Sequence, residues 1–220
     1  MAMKAILFDA YGTLLDVHSS VARHADRLGS VAGAVSALWR QKQLEYTWTL
    51  TLAGRYRPFD AVTADALDFA LALHGYADAT LRHDLLGSYR HLAPFADVGP
   101  ALTQLKAAGM RLGILSNGTP ALLREAVASA GIAALLDPLL SVDAIRIYKP
   151  DPRVYAMAAD SLNLSPGEIG FVSSNAWDAM GAESFGFQVF QLRRQPGPEE
   201  YHLAGRTRVM ASLSDLPGLL

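Results

Sequence analysis

Apolar runs in this 220-residue sequence stop at residues able to do chemistry: Phe8 precedes Asp9, Leu115 precedes Ser116, and Val172 precedes Ser173. Were these runs neighbouring parallel strands, their terminal side chains would gather at one edge of a sheet, where open α/β folds bind ligands. After Asp9, Gly12 allows a sharp turn and Thr13 offers a hydroxyl close to the carboxylate. Lys149 is followed by Pro150 and Pro152, whose fixed φ stiffens the loop and can hold the ammonium near Asp9. A cation that close favours the charged form of a carboxylate, which suits a nucleophile rather than an acid. Plainer readings exist for each member. Asp9 can cap a turn, and Ser116, Asn117 and Ser173 can satisfy backbone groups at strand ends. Asn175 can cap a helix whose first turn carries Asp178, and Lys149 can be a surface lysine. Their joint occurrence at successive strand ends favours a single site.

The elements that must carry these groups follow from patterning. Residues 5–8 are uninterruptedly apolar, as in a strand buried on both faces of a parallel sheet. Residues 17–92 turn to helical patterning with no convincing strand. There, Ser19 and Ser20 can cap a helix carrying Val21, His24, Ala25 and Leu28. A second helix is predicted over about 31–52, with Leu38, Leu44 and Trp48 on its buried stripe. By periodicity alone, Arg40 then falls on the wet face. Gly54 and Pro58 break the pattern before helices over 63–73 and 79–89. Beyond residue 100, helices and strands alternate. Strands are predicted over 111–115, 139–141, 169–172 and 187–192, and helices over 101–108, 120–130, 153–162 and 177–185. Thr119 and Pro120 supply a cap and first position for one of these helices, and residues 165–168 resemble a capping box. The expected fold is α/β: a parallel sheet with helices on both faces, interrupted by an all-helical insertion. The core comprises residues 1–16 and 93–220, and the insertion residues 17–92.

Composition narrows the function. A formal net charge of -2 gives no electrostatic case for nucleic acid, and Arg193, Arg194, Arg206 and Arg208 read most simply as solvated. The absence of cysteine excludes disulfides, thiol nucleophiles and thiolate metal sites, and fits a reducing compartment. The first apolar stretch is too short for a signal-peptide core, and nothing approaches membrane-spanning length. A cytoplasmic protein with no membrane association is the expectation. The six histidines show no short-spaced ligand pair, so no metal site is read from them.

Asp9-Ala10-Tyr11-Gly12-Thr13-Leu14, Ser116-Asn117-Gly118, Lys149-Pro150 and Ser173-Ser174-Asn175-Ala176-Trp177-Asp178 resemble, in order, the four motifs of the haloacid dehalogenase superfamily. The stretch from Trp39 to Trp48 resembles the cap helix of its 2-haloacid dehalogenase branch. The resemblance implies a Rossmann-like core with a helical cap over the active site. Superfamily phosphatases carry a second aspartate that protonates the leaving alcohol, whereas here that position is Tyr11, a poor acid at neutral pH. Those phosphatases also use acidic residues in the fourth motif to hold Mg²⁺, and Ser173 and Asn175 leave too few carboxylates for that. A halide leaving group needs no proton, and a monoanionic substrate needs no divalent metal. A phosphatase is therefore the second choice, and no cofactor is expected. A non-catalytic binding member is disfavoured because Asp9 and Asp178 are both present.

Residue by residue, the resemblance implies that Asp9 attacks C2 of an (S)-2-haloalkanoic acid and forms an ester. Water then hydrolyses the ester, giving an (R)-2-hydroxy acid. Arg40 would stabilise the departing halide, against its reading from periodicity. Ser116 and Asn117, with the backbone at Ala10 and Tyr11, would hold the substrate carboxylate. Thr13 and Lys149 would orient the nucleophile and keep it ionised. Asp178 would activate water, supported by Ser173 and Asn175, and Tyr155 would buttress the site. Leu44, Phe59 and Trp177 would form an apolar wall around C2. The implied partners are the haloacid and water, with a homodimer expected from the family.

Overall fold

The computed structural model describes residues 2–220. The chain opens with strands β1 (Ala5–Phe8) and β2 (Leu15–Asp16), then runs through helices α1 (Ser19–Ala22), α2 (Ala25–Leu28), α3 (Ala32–Leu52), α4 (Phe59–Leu73) and α5 (Ala79–Tyr89). It returns through β3 (Ala93–Pro94) to α6 (Val98–Ala107), β4 (Arg111–Ser116), α7 (Pro120–Ser129) and β5 (Leu139–Ser141). The last elements are α8 (Pro152–Leu162), β6 (Ile169–Ser173), α9 (Ala176–Phe185), β7 (Gln188–Leu192) and β8 (Arg208–Met210).

All of the pairings in the main sheet are parallel, in the order β5-β4-β1-β6-β7-β8. β1 is central and wholly buried, which explains why its sequence shows no polar alternation. The chain crosses to β4 on one side of β1 and to β6 on the other. That reversal opens a crevice beyond the carboxyl end of β1, where Asp9 lies. The fold is the α/β arrangement expected from the alternation of patterns. The helical stretch is joined to the sheet through a small antiparallel ribbon, β2 with β3, pairing Leu15 with Pro94 and Asp16 with Ala93.

Local chemistry accounts for most boundaries. Asp78 accepts from the amides of Thr80 and Leu81 and caps α5, and Asp151 accepts from Arg153 N ahead of Pro152 to start α8. Other expectations need correction. Ser19 and Ser20 do not cap a helix; they lie inside α1 and donate back to the carbonyls of Asp16 and Val17. The helix expected from them breaks into α1 and α2. Thr119 sits at the cap position of α7 without a side-chain hydrogen bond. On α3 the buried stripe is Val35, Trp39, Gln43 and Thr47, while Leu38, Leu44 and Trp48 are half-buried. Apolar periodicity misses this phase because three of the five buried positions on α3, Ser36, Gln43 and Thr47, are polar. Arg194 is not solvated but mostly buried against Asp97, whereas Arg206 and Arg208 are exposed, as expected, beside Glu183 and the Phe190 ring. No helix among the described residues is long and apolar enough to cross a membrane.

Candidate active site

Phe8 stands level with Ile114 on β4 and Val172 on β6, so Asp9 leaves the sheet between them with Ser173 alongside. Its amide donates to Val172 O at 2.9 Å, and the residue is 5% exposed. Gly12, at φ +90°, makes the turn that an L side chain would resist, and Thr13 Oγ1 then donates to Asp9 Oδ2 at 3.0 Å. Asn175 Nδ2 donates to the same oxygen at 2.8 Å, and Lys149 Nζ donates to Oδ1 at 3.2 Å. A carboxylate oxygen accepts about two hydrogen bonds. Oδ2 is therefore saturated, and Oδ1 keeps a lone pair available for attack.

Lys149 lies between two carboxylates. Its side chain is fully buried, with Nζ also 2.9 Å from Asp178 Oδ2 and 4.9 Å from the centroid of the Phe171 ring. Asp178 accepts further from Ser173 Oγ at 3.1 Å on Oδ2 and from Tyr155 OH at 2.8 Å on Oδ1. Burial, and then the charge on Asp9, lift the Asp178 carboxyl to about 6 against the opposing pull of Lys149 and Tyr155. Burial and the Asp178 charge push the Tyr155 phenol well up, so it remains a donor. Tyr155 can approach because Gly181 carries no side chain; a Cβ there would lie 2.5 Å from Tyr155 OH and 2.7 Å from Pro150 Cβ. The ammonium bridges the two carboxylates and offsets their mutual repulsion. Among the described residues no group of three or more His, Cys, Asp or Glu could hold a metal, and Asp9 and Asp178 are both engaged by Lys149.

Arg40 comes from α3 and points inward. Its Nη2 donates to Tyr11 O at 3.2 Å and to Asn175 Oδ1 at 3.3 Å, and its Nη1 donates to Gln43 Oε1 at 2.8 Å. The wet-face reading from periodicity is thereby overturned. Gln43, which sequence reasoning missed, is itself held by donating to Thr63 Oγ1 at 2.7 Å and Tyr89 OH at 3.0 Å. A lone glutamine on a helix ordinarily reads as surface; the available signal was its four-residue spacing from Trp39 and Thr47. The Tyr11 ring lies 5.2 Å from Phe59 and 5.6 Å from Tyr89. Burial, reinforced by Tyr89, raises its phenol well above the usual value, so it holds its proton and cannot serve a leaving alcohol at neutral pH.

Remaining positions form the surround. Ser116 is fully buried, its Oγ accepting from Gly118 N at 3.1 Å, while Asn117 Oδ1 accepts from Lys149 N at 3.1 Å and ties the lysine loop to β4. The Ala10 carbonyl accepts from Leu14 N and Leu15 N, closing the turn after Asp9. Leu44 is half-buried one turn beyond Arg40 and so shares its face of α3. Trp177 meets Trp48 edge-on at 5.5 Å, and both line a cavity of ≈ 390 Å³ that borders Lys149. Ser174, also missed, donates its amide to Thr13 Oγ1 at 2.9 Å and its hydroxyl to Gly12 O at 2.6 Å, locking the turn to the end of β6.

Known proteins resemble this chain along nearly its whole length. A family model for haloacid dehalogenase-like hydrolases matches residues 3–186. The chain is 49% identical over 219 residues to (S)-2-haloacid dehalogenase 1 of Pseudomonas sp. strain CBS-3, covering 99% of this chain and 96% of the relative. It is 46% identical over 220 residues to (S)-2-haloacid dehalogenase 4A of Burkholderia cepacia, covering 100% and 95%. Among solved structures, the L-2-haloacid dehalogenase from Xanthobacter autotrophicus with chloropropionic acid covalently bound has a TM-score of 0.91 at 36% identity, over 99% of this chain and 98% of that one. Matches this long, at these identities, leave one placement: the chain belongs to the haloacid dehalogenase-like hydrolase family.

Proposed function

We propose that the protein hydrolyses (S)-2-haloalkanoic acids to (R)-2-hydroxyalkanoic acids and halide. The observation that carries this reading is the Asp9–Lys149–Asp178 array, with Arg40 reaching from α3 to Asn175 beside it and Tyr11 where a leaving alcohol would need an acid. In this reading the helices of residues 17–92 act as a cap over a core of residues 1–16 and 93–220. Asp9 Oδ1 attacks C2 opposite the halogen, the C–O bond forms as the C–halogen bond breaks, and C2 inverts. Ser116, Asn117 and the amides following Asp9 hold the substrate carboxylate, while Leu44, Phe59 and Trp177 enclose C2. Asp178 takes a proton from water as that water attacks the ester carbonyl; the acyl C–O bond then breaks, the departing alkoxide takes up that proton to give the hydroxy acid, and the regenerated Asp9 carboxyl ionises. The relatives' names and the bound chloropropionic acid of the Xanthobacter enzyme support the substrate class.

Halide release from (S)- and (R)-2-chloropropionate, measured beside p-nitrophenyl phosphate and with or without a chelator, tests the reading. Turnover of the (S) enantiomer alone, unaffected by chelation, is expected. Phosphate release that returns with Mg²⁺ after chelation would overturn it.

Arg40 has its own test. Its planar fork spans Tyr11 O, Asn175 and Gln43, a geometry lysine does not reproduce. Arg40→Lys should lower kcat roughly ten- to a hundredfold if part of the anion stabilisation is lost. Unchanged steady-state kinetics would remove Arg40 from the halide site.

A further inference from the structure

Arg194, outside the segment that the family model matches, sits where the helical insertion leaves and rejoins the sheet. Its Nη2 donates to Thr13 O at 2.9 Å, on the outgoing side. Its Nη1 donates to Asp97 Oδ2 at 2.9 Å, and its guanidinium carbon lies 3.8 Å from the Phe95 ring centroid, on the returning side. Asp97 Oδ2 in turn accepts from Leu213 N at 2.7 Å and Ser212 Oγ at 3.0 Å, which anchors it to the C-terminal turn. Between these two sides, Phe95 N donates to Leu14 O at 3.1 Å, and Ser19 Oγ accepts from Ala93 N and donates to Asp16 O.

Against the cost of burial, Arg194, the Leu213 amide and the Ser212 hydroxyl hold the Asp97 carboxyl below its usual value. Arg194 Nε and Asp97 Oδ1 are buried without hydrogen-bond partners among the described residues, and desolvation of such a pair offsets much of its attraction. The pair also fixes geometry. One planar group holds the carbonyl of the residue whose hydroxyl donates to the nucleophile's Oδ2, and the same group holds the Phe95–Asp97 segment that follows β3. We infer that Arg194 is a positioning residue: it clamps the Thr13 turn to the Phe95–Asp97 segment, fixing both the orientation of the Asp9 carboxylate and the hinge of the helical insertion.

The kinetic test rests on the proposed dehalogenation, which the parent protein establishes separately with (S)-2-chloropropionate. Arg194→Ala should lower kcat by about ten- to a hundredfold while KM changes little, because misplacing a reacting group by around an ångström costs rate on that scale. Arg194 lines a cleft of ≈ 690 Å³ with Gly12, Phe95 and Ser174, so added guanidinium ion can reach the gap and should restore part of the lost kcat. Assays run well below the melting midpoint, and Ser212→Ala serves as a control that loosens the Asp97 anchor without touching Thr13. Amide hydrogen exchange gives a second readout independent of turnover. Arg194→Ala should speed exchange in peptides covering 10–16 and 93–97 while leaving α3 unchanged, and this holds whether or not haloacids are the substrate. Parent-like kcat together with parent-like exchange at those peptides would overturn the inference. So would equal kcat losses in Arg194→Ala and Ser212→Ala with no guanidinium rescue.

Discussion

Asp178→Asn should give a burst of halide equal to the enzyme present, followed by steady turnover slowed about 10²- to 10⁴-fold, the usual worth of general-base assistance. Only the hydrolytic half-reaction needs a proton removed, so ester formation should proceed. The geometry restricts where that proton goes. Ser173 and Lys149 fill Asp178 Oδ2 and Tyr155 takes one position on Oδ1, leaving about one lone pair for water.

The resting Asp178 carboxyl, lifted to about 6, is well suited to this timing. Part of that lift comes from the charge on Asp9, which disappears once Asp9 is esterified, and Lys149 then serves Asp178 alone. The base should therefore become more acidic at the moment it must be ionised. In the parent, the hydrolytic phase should rise with pH to a plateau whose midpoint lies below about 6. Asp178→Asn should abolish that rise. Rapid mixing followed by acid quench reads both phases, and burst amplitude counts folded sites. A missing burst, with alkylation itself slowed, would assign Asp178 to the first step instead.

The parts of this site that could be read directly are those whose signal is local. A fully buried parallel strand must be apolar, so the polar residue that ends it stands out, and this holds for Asp9, Ser116 and Ser173 alike. Lys149 was legible because two prolines stiffen its loop. Arg40 was not, because the buried face of α3 includes Gln43 and Thr47, and a half-polar stripe shifts the apparent hydrophobic phase. Only the resemblance of the stretch around it to a known cap helix brought Arg40 to the site. β2 and β3 were missed for a different reason: at two residues, neither is long enough to display alternation. Arg194 shows the same limit on the charge side. A surface-looking Arg-Arg pair carries no mark of the carbonyl and carboxylate, far away in sequence, that one of them will hold.

Asp9→Asn should remove essentially all turnover, a loss of the order of 10⁴-fold or more, as when other covalent nucleophiles are deleted. That loss alone does not establish covalent catalysis, because a general base at the same position would be equally indispensable. Both roles also predict inversion at C2. The destination of solvent oxygen separates them. A base would direct water to C2, and the hydroxy acid would carry solvent label in the first turnover. A nucleophile donates one of its own oxygens to C2, and solvent oxygen enters the regenerated carboxylate. The hydrogen bonding at Asp9 favours the second course: Thr13 and Asn175 saturate Oδ2, whereas Oδ1 meets only Lys149 and retains a lone pair for attack. With enzyme in excess over substrate in H₂¹⁸O, the first-turnover product should be unlabelled and the peptide containing Asp9 should gain the heavy isotope. Repeated turnover should then move label into product, since each cycle delivers the oxygen installed by the one before. Labelled product with an unlabelled Asp9 peptide in the first turnover would make Asp9 the base and remove the ester from the mechanism.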